Sequence, residues 1–171
     1  MKNINVSIDV DGTLTKEVIG QDILELSTLE VEKEILSCTP KDGVDVLFDD
    51  MLSRNDCNTF IITGRQEKYR RATSEWLNMY GIPYDELIMF PNNFYEINGY
   101  TSKKYIDLKV DAHIRKNIHF SLDDHEQMIS ELNKNGIIAC RVANNFRDAF
   151  NEIFKVNYQD RMITFLPINK T

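Results

Sequence analysis

The feature that most constrains this chain is a rhythm. Short apolar runs, several closing on a polar cluster, alternate with stretches of helical periodicity. Residues 3–8 (NINVSI) read as a strand that breaks at Asp9. Residues 58–63 (NTFIIT), 87–90, 118–122 and 137–142 read as further strands. Between them, 43–54, 67–80, 103–115 and 124–134 carry apolar residues at helical spacing. Tyr69, Ala72, Thr73, Trp76, Leu77 and Tyr80, for example, fall on one helix face, with Trp76 as core. Gly81 and Gly136 stop two of these helices, and Ser102 is an N-cap candidate for a third. Strands alternating with helices imply an α/β fold, a parallel sheet with helices on both faces. Ligands then sit at the carboxyl ends of the strands.

Three segments stand outside the rhythm. Residues 16–40 read as an insertion of one or two short helices over the end of the first strand, ended by Pro40. Residues 91–101 (PNNFYEINGYT) read as a polar loop or small hairpin. A last helix is expected over 148–154 and an edge strand over 162–166.

The chain's 171 residues suit a single domain, 1–171. A formal net charge of −7 argues against holding nucleic acid by bulk electrostatics, although local cations or a metal can still bind a phosphate. No apolar run approaches the ~20 residues of a membrane span. The start, MKNINVSIDV, lacks the apolar core of a signal peptide, so a cytoplasmic location and no membrane partner are expected. Cys38, Cys57 and Cys140 are odd in number and far apart, which suggests free thiols. His113, His119 and His125 are not spaced to share a zinc ion, and His125 reads as a surface residue.

The polar clusters carry the chemistry. In Asp9-Val10-Asp11-Gly12-Thr13 both carboxylates can face one side, because alternate residues of an extended segment point the same way. Two close carboxylates repel unless a cation or proton lies between them. Asp123 and Asp124 would arrive from another strand end. Such a set of oxygen donors, completed by water and phosphate, suits Mg²⁺. Gly12 permits a sharp turn. In Thr63-Gly64-Arg65 a hydroxyl and backbone N–H groups near a helix start can hold a phosphoryl oxygen. An ammonium from Lys103, Lys104 or Lys109 would offset charge near Asp9. Arg65, Lys68, Arg70 and Arg71 form a locally basic run, either a greeting surface for a polyanion or a solvated helix face.

DVDGTLT at 9–15, ITGR at 62–65, a lysine within 103–109 and LDD at 122–124 together resemble the haloacid dehalogenase (HAD) superfamily of phosphatases. The resemblance implies a Rossmann-like sheet of strand order 5-4-1-2-3, with a small cap or none. It implies that Asp9 is a nucleophile forming an aspartyl-phosphate, and that Asp11 is the general acid and base. Asp9, the Asp11 carbonyl, Asp123 and Asp124 would hold Mg²⁺, and Thr63 would orient the phosphoryl group. A narrower resemblance, to the phosphatase domain of phage polynucleotide kinase and to small nucleotidases, rests on TGR with Tyr69, Arg70, Thr73 and Trp76, and on the 104–124 spacing. It favours Lys104 as the catalytic lysine and adds Gly64 and Arg65 as substrate-binding residues. The implied activity is a Mg²⁺-dependent phosphomonoesterase acting on a nucleotide or a nucleic-acid 3′-phosphate. A sugar-phosphate or other metabolite phosphatase is the alternative, as is a non-catalytic phosphate-binding protein.

Overall fold

A computed structural model describes residues 4–19, 26–45, 57–99 and 103–142. Within them five strands form one parallel sheet: β1 (Ile4–Ile8), β2 (Cys57–Gln66), β3 (Glu86–Phe90), β4 (Phe120–Asp123) and β5 (Ile138–Arg141). Their order is β3-β2-β1-β4-β5, as the resemblance implied. The helices are α1 (Thr28–Ser37), α2 (Arg70–Met79), α3 (Phe94–Asn98), α4 (Lys103–Arg115) and α5 (Glu126–Lys134).

Successive strand residues point to opposite faces, so neighbours in sequence feed different cores. Ile61 joins Val6, Ile8, Val31, Ile35, Trp76 and Leu77 beneath α1 and α2. Ile62 joins Val110, Met128, Leu132 and Ala139 beneath α4 and α5. Strand near-continuity of apolar residues follows from this two-sided burial.

The local sequence sets the helix ends. Ser27 and Glu30 form a capping box at the start of α1. Trp76 donates from its indole to the Cys38 carbonyl at 2.9 Å, which ties α2 to the end of α1. Gly81 sits at φ 63° just beyond α2, where a left-handed residue closes a helix.

Two expectations change. The second strand does not end at Thr63; it runs on to Gln66, with a register shift between Ile62 and Gln66. The 91–101 segment is neither a plain loop nor a hairpin: Asn93, at φ 62°, turns the chain into helix α3. Phe94 and Tyr95 of that helix bury against Phe90, so packing rather than propensity makes it. His125 is exposed, as expected, and serves as the N-cap of α5, its Nδ1 accepting from the Met128 N–H at 3.2 Å. The basic run is internally paired: Lys68 with Glu96, Arg70 with Glu67, and Arg71 with Glu32. Most of the expected 43–54 helix, the Ser102 cap, and the expected elements at 148–154 and 162–166 lie outside the described residues. Cys38, Cys57 and Cys140 form no disulfide. No described helix is long and apolar enough to cross a membrane.

The strand order reverses direction between β1 and β4. The chain builds outward from β1 through β2 to β3, then returns to add β4 and β5 on the other side of β1. The crevice at such a switch point is where parallel sheets bind ligands.

Candidate active site

Asp9 follows β1 directly, and its N–H continues the ladder by donating to the Leu122 carbonyl at 3.0 Å. The next five residues, Val10–Leu14, form one wide helical turn that departs from helical geometry at Asp11 and Gly12. Gly12 is required twice over. Its φ is 72°, and a Cβ there would collide with the Asp124 carboxylate. Lys41 staples this turn by donating from Nζ to the Gly12 carbonyl and, at 3.2 Å, to that of Val142.

Carboxylate oxygens of Asp9, Asp123 and Asp124 lie within 4.8 Å of one another. Asp123 ends β4 and is held by the His125 N–H at 2.9 Å. The ammonium of Lys109 sits between two of the three, 2.8 Å from Asp9 and 2.8 Å from Asp123. Lys109 is fully buried. Lys104, favoured by motif spacing, is exposed on the first turn of α4 and is not the lysine at the carboxylates. Lys109 lies in the apolar face of α4, one turn after Tyr105 and one turn before His113. That placement is the signal in the sequence: a lysine amid Ile106, Val110 and His113 on a buried face needs an acidic partner.

Burial pushes the Asp9 carboxyl up to about 8, with Lys109 pulling the other way and Asp123 and Asp11 adding to the rise. Burial and the charge of Asp123 raise Asp124 as well. The two acidic neighbours hold Lys109 well above its usual value against the opposing effect of burial. Four carboxylates, Asp9, Asp11, Asp123 and Asp124, thus face two buried cations, Lys109 and Arg65. The excess negative charge and the all-oxygen donor set fit a divalent hard cation such as Mg²⁺.

Asp11 does not join the carboxylate triad. It is bound by Arg65, whose Nη2 lies 2.7 Å from Oδ1 and whose Nε lies 3.0 Å from Oδ2. Arg65 Nη1 reaches Thr73 at 3.4 Å on α2. Each guanidinium nitrogen therefore has a partner in the protein, a geometry that fixes the Asp11 carboxylate. Thr63 is wholly buried at the end of the regular part of β2, and its Oγ1 accepts from the Arg65 N–H at 3.3 Å. Gly64 reaches the open cavity that the carboxylates border, as do Asp9, Asp11, Arg65 and Asp124; Thr63 does not.

The cavity has a volume of about 220 Å³. Val18, Ile19, Val31 and Ile35 line it. Gln66, Tyr69, Tyr95, Tyr105 and His125 complete the lining. Sequence reading found none of Tyr69, Tyr95 and Tyr105 as cavity residues, since aromatic residues on helices usually mark core.

Neither a protein-family model nor a curated protein matches this chain. Solved structures do. The Pnkp1/Rnl/Hen1 RNA repair complex contains a chain with a TM-score of 0.65 at 22% identity, matched over 85% of this chain and 44% of that one. This chain therefore spans under half the length of that relative. The HAD domain of the effector Lem4 from Legionella pneumophila matches at TM-score 0.54 and 16% identity, covering 91% of this chain and 94% of that domain. A phosphoserine phosphatase, solved as an analogue of its phospho-aspartyl intermediate, matches at TM-score 0.57 and 12% identity, covering 89% and 99%. With strand order, switch-point acids and these likenesses in agreement, the chain has the fold of the HAD-type phosphatase domains.

Proposed function

We propose that this protein is a Mg²⁺-dependent phosphomonoesterase working through an aspartyl-phosphate, with a nucleotide or a nucleic-acid 3′-phosphate as substrate. The observation that carries the reading is the meeting of Asp9, Asp123 and Asp124, with the Lys109 ammonium between the first two and Asp11 alongside. Asp9, Asp123 and Asp124 would hold Mg²⁺, joined by the Asp11 backbone carbonyl. When bound, the ion supplies charge neutralisation for phosphate and carboxylate together.

An oxygen of Asp9 attacks phosphorus and forms an O–P bond while the bond to the leaving oxygen breaks. The Asp11 carboxyl gives that oxygen its proton. The resulting Asp11 carboxylate then takes a proton from water, which attacks the phosphoryl-aspartate, releases inorganic phosphate and restores Asp9. Lys109 offsets charge on Asp9 and on the phosphoryl oxygens. Arg65 orients Asp11, Gly64 shapes the wall on which the phosphoryl group lies, and Thr63 supports that wall from behind by accepting from the Arg65 N–H. The nucleic-acid reading draws support from the likeness to a chain of the Pnkp1/Rnl/Hen1 RNA repair complex.

The test is turnover of an aryl phosphate and of a 3′-phosphorylated oligonucleotide, with Mg²⁺ and with chelator. Mg²⁺-dependent release of phosphate, lost in Asp9→Asn, is expected. Activity that survives either chelation or that substitution contradicts the reading. No turnover of any phosphate ester with Mg²⁺ favours a phosphate-binding protein on the same fold.

A further inference from the structure

The cavity beside the carboxylates has two unlike walls. Val31 and Ile35 belong to the core beneath α1 and α2 on one face of the sheet, and Val18 and Ile19 extend that aliphatic wall. Tyr105 packs with the core of the opposite face, and with Tyr95 and His125 it makes an aromatic wall. Tyr95 and Tyr105 lie nearly parallel, 29° apart with centroids at 6.4 Å, and the His125 ring is 6.0 Å from Tyr105. We propose that the slot between these walls is a base subsite, taking the planar ring of the nucleotide whose phosphate lies at Asp9. The proposal rests on the phosphatase reading and names what lies on the leaving-group side.

The aromatic wall is built in advance. The Tyr95 hydroxyl donates to the Gly64 carbonyl at 2.7 Å, and the His125 ring is fixed by its capping bond to Met128. Gly64 makes the wall possible, because a Cβ there would lie 2.6 Å from the Tyr95 hydroxyl and 2.9 Å from the Tyr105 ring. The Tyr105 hydroxyl has no hydrogen-bond partner among the described residues, yet it lines the cavity. Burial keeps it protonated, so it offers an O–H donor to a ligand.

The chemistry selects among phosphate esters. A polyol such as a sugar phosphate would set its hydroxyls against aliphatic and aromatic carbon and lose hydrogen bonds to water. A flat heteroaromatic ring loses little there and gains stacking on the tyrosine. The volume of about 220 Å³ is below the ~300–1,000 Å³ typical of drug-sized ligands, which suits one terminal residue with any remaining strand outside.

The experiment compares two 3′-phosphorylated DNA oligonucleotides. One ends in thymidine, the other in a tetrahydrofuran abasic residue. Stacking of one base is worth roughly tenfold or more in affinity. We expect wild type to favour the thymidine end about tenfold or more in kcat/KM, and Tyr105→Leu to bring the ratio towards unity. Equal kcat/KM in wild type overturns the base subsite and leaves the phosphatase reading standing. A preference unchanged in Tyr105→Leu also overturns it. Binding of the same two strands to Asp9→Asn with Mg²⁺, by calorimetry, separates the two readings. Tighter binding of the thymidine end without any wild-type turnover keeps the slot and removes the enzyme. Equal or absent binding without turnover removes both.

Discussion

Lys109 shows how a single residue can be misread by spacing and recovered by burial. Motif spacing pointed to Lys104, which the structure leaves in solvent, whereas Lys109 is enclosed between Asp9 and Asp123. A buried ammonium 2.8 Å from both carboxylates offsets the charge of each, as the proposed mechanism requires at Asp9 and Asp123. Lys109→Met should lower kcat by about 10²–10³-fold, the scale for losing one preorganised charge partner, while Lys104→Met leaves kcat near wild type. Steady-state kinetics of the two variants decides it, and the reverse ranking would reinstate Lys104. Asp9, Asp11, Asp123 and Asp124 were legible because each follows a recognisable apolar run. The pairing of Asp11 with Arg65 was not, since it depends on β2 extending past Thr63 through a register shift.

At the scale of elements, the seam between α4 and β4 sets the distance between Lys109 and Asp123. His113 lies in that seam. Its Nδ1–H donates to the Lys109 carbonyl at 2.7 Å, and its Nε2 accepts from the Ser121 hydroxyl at 3.1 Å, a tautomer assigned from these partners. Burial pushes this imidazole down to about 4, opposed by the hydrogen bond to Lys109 and aided by the Lys109 charge. The unfolded chain takes up the proton below its ordinary pKa near 6.5, and the folded protein only near 4. His113 therefore contributes stability that is full above about pH 6.5 and is lost as pH falls towards 4, by up to about 3 kcal/mol. Urea unfolding at pH 7 and pH 5 should show a loss in wild type that is smaller in His113→Asn. An identical loss in both would remove His113 as the source. The sequence made α4 and α5 plain through periodicity. It hid α3, because FYEIN becomes helical only when Asn93 turns the chain and Phe94 and Tyr95 find Phe90.

Across the whole molecule, a chain of net charge −7 concentrates four carboxylates at one crevice and leaves them short of positive charge. Sheet topology does this: β1 and β4 are adjacent and parallel although Ser7 and its partner Ser121 are 114 positions apart, so Asp9 and Asp123 share an edge. The alternation of strands and helices made the parallel sheet readable in advance, and the family resemblance implied its order. The cavity walls were not readable, since α1, α3 and α4 supply them from three places in the chain. The account as a whole depends on a phosphoryl group passing through Asp9. Quenching the Mg²⁺-loaded protein during turnover, reducing it with borohydride and mapping it by mass spectrometry tests this directly. Conversion of Asp9 to homoserine, seen only when a phosphate ester is present, is the predicted result. Rapid turnover with residue 9 unmodified, or with the modification at another aspartate, would contradict it.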